Sequence, residues 1–138
     1  MSSVEQLRDL LTQLYAGFGS GDPTAWVDHL SEDVLGVGTD PEEWWEGRDA
    51  VAKVHRAQVE QLANAGMQMV GGTPRIFDHG SVLVAVDRPT LHSPDGQTIP
   101  TRFTVVAAND GDGLKIQHFH LSIGAENEEV LGQELPTS

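Results

Sequence analysis

Apolar positions near the N-terminus fall on one stripe. Val4, Leu7, Leu11, Leu14 and Phe18 recur at spacings of three and four, and Leu10 and Tyr15 widen the band. That period predicts an amphipathic helix, closed by Gly17, Gly19 and Gly21. Asp22-Pro23 restarts the chain, because Asp is a good N-cap and Pro suits the first helical position. Trp26, Val27 and Leu30 then supply the apolar side of a short second helix. Val34 to Gly38 reads as a strand, and Asp40-Pro41 turns the chain out of it. A third helix is predicted from about Arg48-Asp49 to about Asn64, ended by Gly66. Its apolar set (Val51, Val54, Ala57, Leu62) is looser than that of the first helix.

Beyond Gly66 the helical period gives way to alternation. Met67 and Met69, then Val82, Val84 and Val86, then Thr101 to Ala107 and Leu114 to Ile123 predict strands. Gly71-Gly72-Thr73-Pro74 marks a bulge or an edge. Asp78-His79-Gly80, Ser93-Pro94-Asp95-Gly96 and Asn109 to Gly113 are turns. Helices first and a meander afterwards is an α+β order, with the helices on one face of one sheet. The domain is expected to span residues 1–125, followed by a polar tail over 126–138. Strands and helices do not alternate, and the phosphate-loop, dinucleotide, zinc-protease and hydrolase-elbow motifs are missing.

Turn positions decide which side chains share a face. If Ser93 and Gly96 close one hairpin, Val86 opposes Phe103 and Asp87 opposes Arg102. If Asn109 and Gly113 close the next, Phe103 opposes Phe119 and Arg102 opposes His120. Alternation then groups Val82, Val84, Val86, Phe103, Val105, Phe119, Leu121 and Ile123 on the face that receives the helices. Leu83, Ala85, Ile116 and His118 fall on the other face, with a polar row of Asp87, Arg102 and His120. Asp87 and Arg102 are expected to form an ion pair. Pairing is expected to loosen at Pro89 and Pro100, which cannot donate ladder hydrogen bonds.

Composition narrows the partners. The chain has 138 residues, 21 acids against 8 bases and a net charge of −13. A nucleic-acid binder needs the opposite sign, so neither nucleic acid nor an anionic membrane is an expected partner. No stretch approaches the length of an apolar membrane span, and the residues after Met1-Ser2-Ser3 lead to the expectation of no secretory leader. The chain has no cysteine, which removes disulfides, thiolate nucleophiles and thiolate metal sites. Cytoplasm is the expected location.

The order helix, helix, strand, long helix, meander resembles the NTF2-like superfamily, specifically its SnoaL-like branch. The resemblance runs over roughly Leu7 to Ser122. It rests on Gly21-Asp22, Gly47-Arg48-Asp49, Arg102-Phe103-Thr104-Val105 and the run Lys115-Ile116-Gln117-His118-Phe119-His120-Leu121-Ser122. That run is also similar to the terminal strand of the calmodulin-dependent kinase II association domain. The resemblance implies a cone: three N-terminal helices packed on the concave face of a curved antiparallel sheet, a pocket between them, and a homodimer. Relatives include ketosteroid isomerases, polyketide cyclases, dehydratases and non-enzymatic modules, so the fold alone assigns no activity.

Ketosteroid isomerase chemistry needs a carboxylate base with a Tyr and a protonated Asp as donors. Here Leu14 stands at the family's Tyr position with Tyr15 one residue on. Gly38 stands at the base position with Asp40 two residues on, and Thr104, Val105 and Val106 offer no second acid. That triad is therefore not expected. Asp40 is either a general base, desolvated by the nearby Trp44-Trp45, or simply a turn residue. Tyr15, Phe18, Trp26, Trp45, Phe103 and Phe119 are the candidate ligand-binding residues; the tryptophans could equally be core or dimer contacts. Asp87, Arg102, His118 and His120 are either a functional cluster or part of a dimer interface. Two His and an Asp could hold a metal, but the neighbouring Arg repels one, so neither metal nor cofactor is expected. The expected function is binding of a small, largely apolar molecule. It would go with cofactor-free acid–base chemistry of isomerase, cyclase or hydrolyase type, or with a non-catalytic ligand-binding or assembly role.

Overall fold

A computed structural model describes residues Met1–Ser138. Helix α1 spans Ser3–Ser20. It starts at a capping box in which Ser2 Oγ accepts from the Glu5 amide and Glu5 Oε2 accepts from the Ser2 amide, at 3.1 and 3.0 Å. Helix α2 is Thr24–Val27 and α3 is Arg48–Asn64. Nine strands complete the domain: β1 Leu30–Val37, β2 Trp44–Glu46, β3 Gln68–Val70, β4 Arg75–Asp78, β5 Val82–Asp87, β6 Thr90–His92, β7 Thr98–Pro100, β8 Arg102–Asn109 and β9 Leu114–Ser122. In the tail, Asn127–Leu131 forms a short helix, α4, with no buried residue. No helix is long and apolar enough to cross a membrane.

The main sheet has the order β2-β1-β9-β8-β5-β4, and β3-β6-β7 form a second, smaller sheet. The main sheet is curved and mixed, not wholly antiparallel: β1 runs parallel to β9. These two strands are far apart in sequence, so no hairpin forces an antiparallel pairing.

The faces differ from the expectation by one residue, and the cause is local. The Ser93 amide donates to Gln97 O at 2.9 Å, so Ser93 pairs with Gln97 and the loop is Pro94-Asp95-Gly96. Gly96, at φ +88°, absorbs the extra residue in the left-handed region. Asp87 therefore opposes Phe103 and Val86 opposes Thr104. Leu83, Ala85 and Asp87 point into the core, whereas Val82 and Val86 are exposed on the outer face. The expected Asp87–Arg102 pair is overturned: Asp87 is buried inside, and Arg102 lies outside with its Nε donating to Ser122 Oγ at 3.2 Å.

In the next hairpin Asn109 pairs with Leu114, one residue off the expected closure. The register then shifts again, because Ala107 opposes Ile116 while Val106 opposes His118. Gln117 is the extra residue of this bulge. Two single shifts restore parity, so Phe119 and Leu121 do share the inner face with Phe103. Ile116 lies before the bulge and also points inward, fully buried.

The prolines act where expected. Pairing of β5 with β8 stops at Asp87–Phe103, and β6 with β7 resumes at Thr90–Pro100. Between them the Thr101 amide and Oγ1 both donate to Pro89 O, at 3.0 and 2.7 Å. The hairpin bends here and leaves the main sheet for the smaller one.

The core joins Leu7, Leu10, Leu11 and Leu14 of α1 and Val51 and Ala52 of α3 to the inner face of the sheet. Each fully buried Leu or Val contributes about 1.5–3 kcal/mol over its exposed state. The inner wall is not filled to its edge, and what remains open is the candidate site.

Candidate functional site

A cavity of about 350 Å³ lies between α1, α3 and the inner face of the sheet. Its apolar walls come from Leu14 and Phe18 of α1, Trp26 of α2, Trp45 of β2, Phe103 of β8 and Phe119 of β9. The rings form a connected set. Trp26 meets Phe119 edge-on at 5.6 Å between centroids, and Phe103 and Trp45 each lie 6.4 Å from Phe119. Gly36 of β1 makes room for this: a Cβ there would sit 2.5 Å from Phe119 Cζ. Gln61 and Ile123 line the cavity and are exposed, so they mark its mouth.

The polar wall belongs mainly to α3. Val51, Val54, His55, Gln58 and Leu62 lie at helical spacing along the side of α3 that lines the cavity. His55 is buried and meets Phe18 edge-on at 5.6 Å. Burial, with a smaller contribution from the Arg56 charge, lowers its pKa to about 4. The imidazole is therefore neutral near pH 7, with one N–H donor and one acceptor nitrogen. Its ring makes no hydrogen bond within the protein, and no fully enclosed polar side-chain atom is left unpartnered. Its polar edge is thus open to the cavity.

Glu43 is the one charged side chain lining the cavity. Oε1 accepts from the Asp40 amide at 2.9 Å and from Thr39 Oγ1 at 3.3 Å, and Oε2 accepts from Gln58 Nε2 at 2.9 Å. Those bonds fold the β1–β2 loop onto α3. Gly38 allows the fold-over, since a Cβ there would come 2.6 Å from Glu43 Oε2.

Of the residues singled out from sequence, Phe18, Trp26, Trp45, Phe103 and Phe119 line the cavity, and Trp44 is exposed. Tyr15 does not line it. The Tyr15 hydroxyl donates to Asp87 Oδ2 at 2.8 Å, behind the cavity wall. Burial first, then the Asp87 bond and charge, push the phenol pKa well above its usual value. Asp40 does not line the cavity: it is exposed, and Oδ1 accepts from the Glu42 amide at 2.9 Å. Its carboxylate organises a turn. His118 and His120 are on the outer face, where His118 Nδ1 lies 2.8 Å from Leu35 O. Asp87 sits inside, so it leaves the expected row, while Arg102, His118 and His120 share the outer face with the two His ring centroids 6.4 Å apart. No group of three or more His, Cys, Asp or Glu side chains is arranged to hold a metal ion.

Glu43, His55 and Gln58 were missed by the sequence reading, yet each left a signal. Glu43 stands two residues before Trp45, which in extended backbone puts both on one side. His55, Gln58 and Gln61 interrupt the apolar stripe of α3, because that stripe faces an open cavity instead of the sheet.

The fold is the NTF2-like, cystatin-like fold. An NTF2-like protein of unknown function from Pseudomonas putida KT2440 superposes with a TM-score of 0.81 at 16% identity, covering 100% of this chain and 98% of that one. A candidate dehydratase of the NTF2-like family from Streptomyces avermitilis gives 0.72 at 18% identity, covering 88% and 96%. A candidate ketosteroid isomerase from Shewanella frigidimarina NCIMB 400 gives 0.68 at 16%, covering 83% and 92%. Among curated proteins none matches. Residues 7–126 match the SnoaL-like domain, and the chain belongs to that family.

Proposed function

We propose that this protein binds a small, largely apolar molecule in the cavity between α3 and the sheet, and that Glu43 moves a proton on it. The supporting observation is a cavity of about 350 Å³ with aromatic walls and one polar side carrying Glu43, His55 and Gln58. That volume is at the low end for ligand pockets, which suits a molecule of about two fused rings. Glu43 would take a proton from a carbon next to a carbonyl, leaving an enolate. Gln58 holds the carboxylate in place. The neutral His55 can donate its N–H to the oxygen that gains charge. The roles are those of isomerase, cyclase or hydrolyase chemistry without a cofactor, with Glu43 in place of the Asp40 suggested by sequence.

The bicyclic ketone 2-tetralone tests this. Saturable binding should be seen by tryptophan fluorescence and lost in the cavity-filling variant Val54→Trp. In deuterated water the bound ketone should exchange its α-protons faster than the free ketone, and Glu43→Gln should abolish the acceleration. Binding without acceleration would support the second reading, a non-catalytic ligand carrier. The homodimer expected from the family resemblance would be built on the outer face of the sheet, where Phe77, Val82 and Val86 are each about 40% exposed.

A further inference from the structure

The charge pattern of the cavity says more about its ligand than the volume does. Glu43 is the only charged side chain on its wall, and neither Lys nor Arg lines it. His55 adds no positive charge near neutral pH. Nothing inside offsets the Glu43 carboxylate, and the chain as a whole carries −13. A carboxylate offers about four acceptor positions. The Glu43 carboxylate accepts three hydrogen bonds from the protein, only one of them on Oε2. An acceptor position on Oε2 is therefore free. Trp45, two residues further along the chain in β2, and Phe119 present aromatic rings in the same cavity, and ring faces attract cations.

We propose that the natural ligand of this cavity carries a protonated amine on an apolar body, with the ammonium group held by Glu43. The proposal rests on the binding part of the reading above and not on its proton transfer: an ammonium group on the free acceptor position makes Glu43 an anchor instead of a base, and the inference gives the ligand's charge class. An anionic ligand would meet an uncompensated carboxylate in a partly desolvated site. A neutral hydroxyl could use the free acceptor position but would gain no charge attraction.

Three naphthalenes of one shape separate these cases: 2-naphthylmethylamine, 2-naphthylmethanol and 2-naphthoate. Each competes against prodan, an uncharged dye whose emission reports an apolar site. Prodan binding establishes that the cavity takes apolar molecules at all; its absence would sink the binding reading, and this inference with it. With prodan bound, the amine should displace it about tenfold more tightly than the alcohol, the scale of one hydrogen bond to a charged group. The acid should be weakest. Glu43→Gln should bring the amine to parity with the alcohol. Asp40→Asn removes the same charge from the same loop outside the cavity, and should keep the preference. Equal affinities for amine and alcohol in the unaltered protein would overturn the assignment. So would an equal loss of preference in both variants, since a diffuse acidic field would then explain it. Thermal melts and retained prodan binding show that each variant is folded.

Discussion

Tyr15 in α1 and Asp87 at the end of β5, 72 residues apart in sequence, are joined by a 2.8 Å hydrogen bond inside the core. Asp87 also accepts from the Gly72 amide at 3.2 Å and the Arg88 amide at 2.8 Å. The Gly71-Gly72 pair gives way to these side chains: a Cβ on Gly71 would lie 2.8 Å from the Tyr15 ring, and one on Gly72 2.6 Å from Asp87 Oδ1. This joint ties the first helix to the bend between the two sheets. Removing the phenol oxygen with Tyr15→Phe should cost about 1.5–3 kcal/mol, the range for a hydrogen bond to a charged group. Asp87→Ala should cost more, because it strands a buried hydroxyl and two amides. Urea unfolding midpoints check both, and a Tyr15→Phe protein as stable as the parent would refute the joint.

The same pair sets an alkaline limit. The chain has one tyrosine, so tyrosinate absorbance reports Tyr15 alone. Its folded pKa lies above the ordinary 10.0, so the unfolded state loses the proton first. The stabilisation is complete below pH 10 and declines as pH rises beyond it. Tyrosinate should not form at pH 10.5 in the folded protein and should appear together with unfolding. A smooth titration centred near pH 10 without loss of structure would contradict this.

His55 sets an acid limit. Its pKa falls from 6.5 unfolded to about 4 folded. The unfolded state binds the proton first as pH drops, so stability is full above pH 6.5 and is lost between there and about pH 4. The shift corresponds to roughly 3 kcal/mol at most. Replacing the imidazole with His55→Gln should flatten that part of the stability–pH curve relative to the parent. Carboxylates titrate in both proteins and cancel in the difference. Curves that stay parallel from pH 7 to pH 4.5 would show that His55 is not desolvated.

Gly36 and Phe119 fit only as a pair. A methyl at position 36 would overlap the Phe119 ring, and overpacking of this kind costs about 1–3 kcal/mol. Gly36→Ala should therefore lower the melting temperature and weaken prodan binding, because the displaced ring lines the cavity. The double variant Gly36→Ala/Phe119→Leu should recover part of the stability. Full prodan binding in the single variant would mean that the ring does not bound the site.

The outer face offers a test of self-association. Val84 lies there between the exposed Val82 and Val86. If two copies meet on this face, Val84→Glu should give a monomer in sedimentation equilibrium where the parent gives twice the chain mass. An unaltered chain that sediments as a monomer would remove the dimer.

Local chemistry was enough to determine the two long helices, but not the short strands or the end of the second helix, where Leu30 opens β1 instead. The period of Val4, Leu7, Leu11, Leu14 and Phe18 gave α1, and Arg48 and Asn64 bounded α3 as the structure has them. Both follow from side-chain spacing along the chain, which a sequence states directly. The faces of β5 and the start of β9 did not follow, because a strand alternates with period two and one residue in a turn inverts it. Whether Gly96 would close a two-residue loop or serve as the extra residue of a longer one depended on how the hairpin packed, as did the bulge at Gln117. The Asp87–Arg102 pair was lost to that single residue, and the Tyr15–Asp87 pair appeared in its place. The aromatic lining was legible, since large rings without a polar partner seek the interior. The polar side of the cavity was not: Glu43 reaches it only because a loop folds over Gly38 to meet Gln58, a contact 15 residues apart that tertiary packing alone could close.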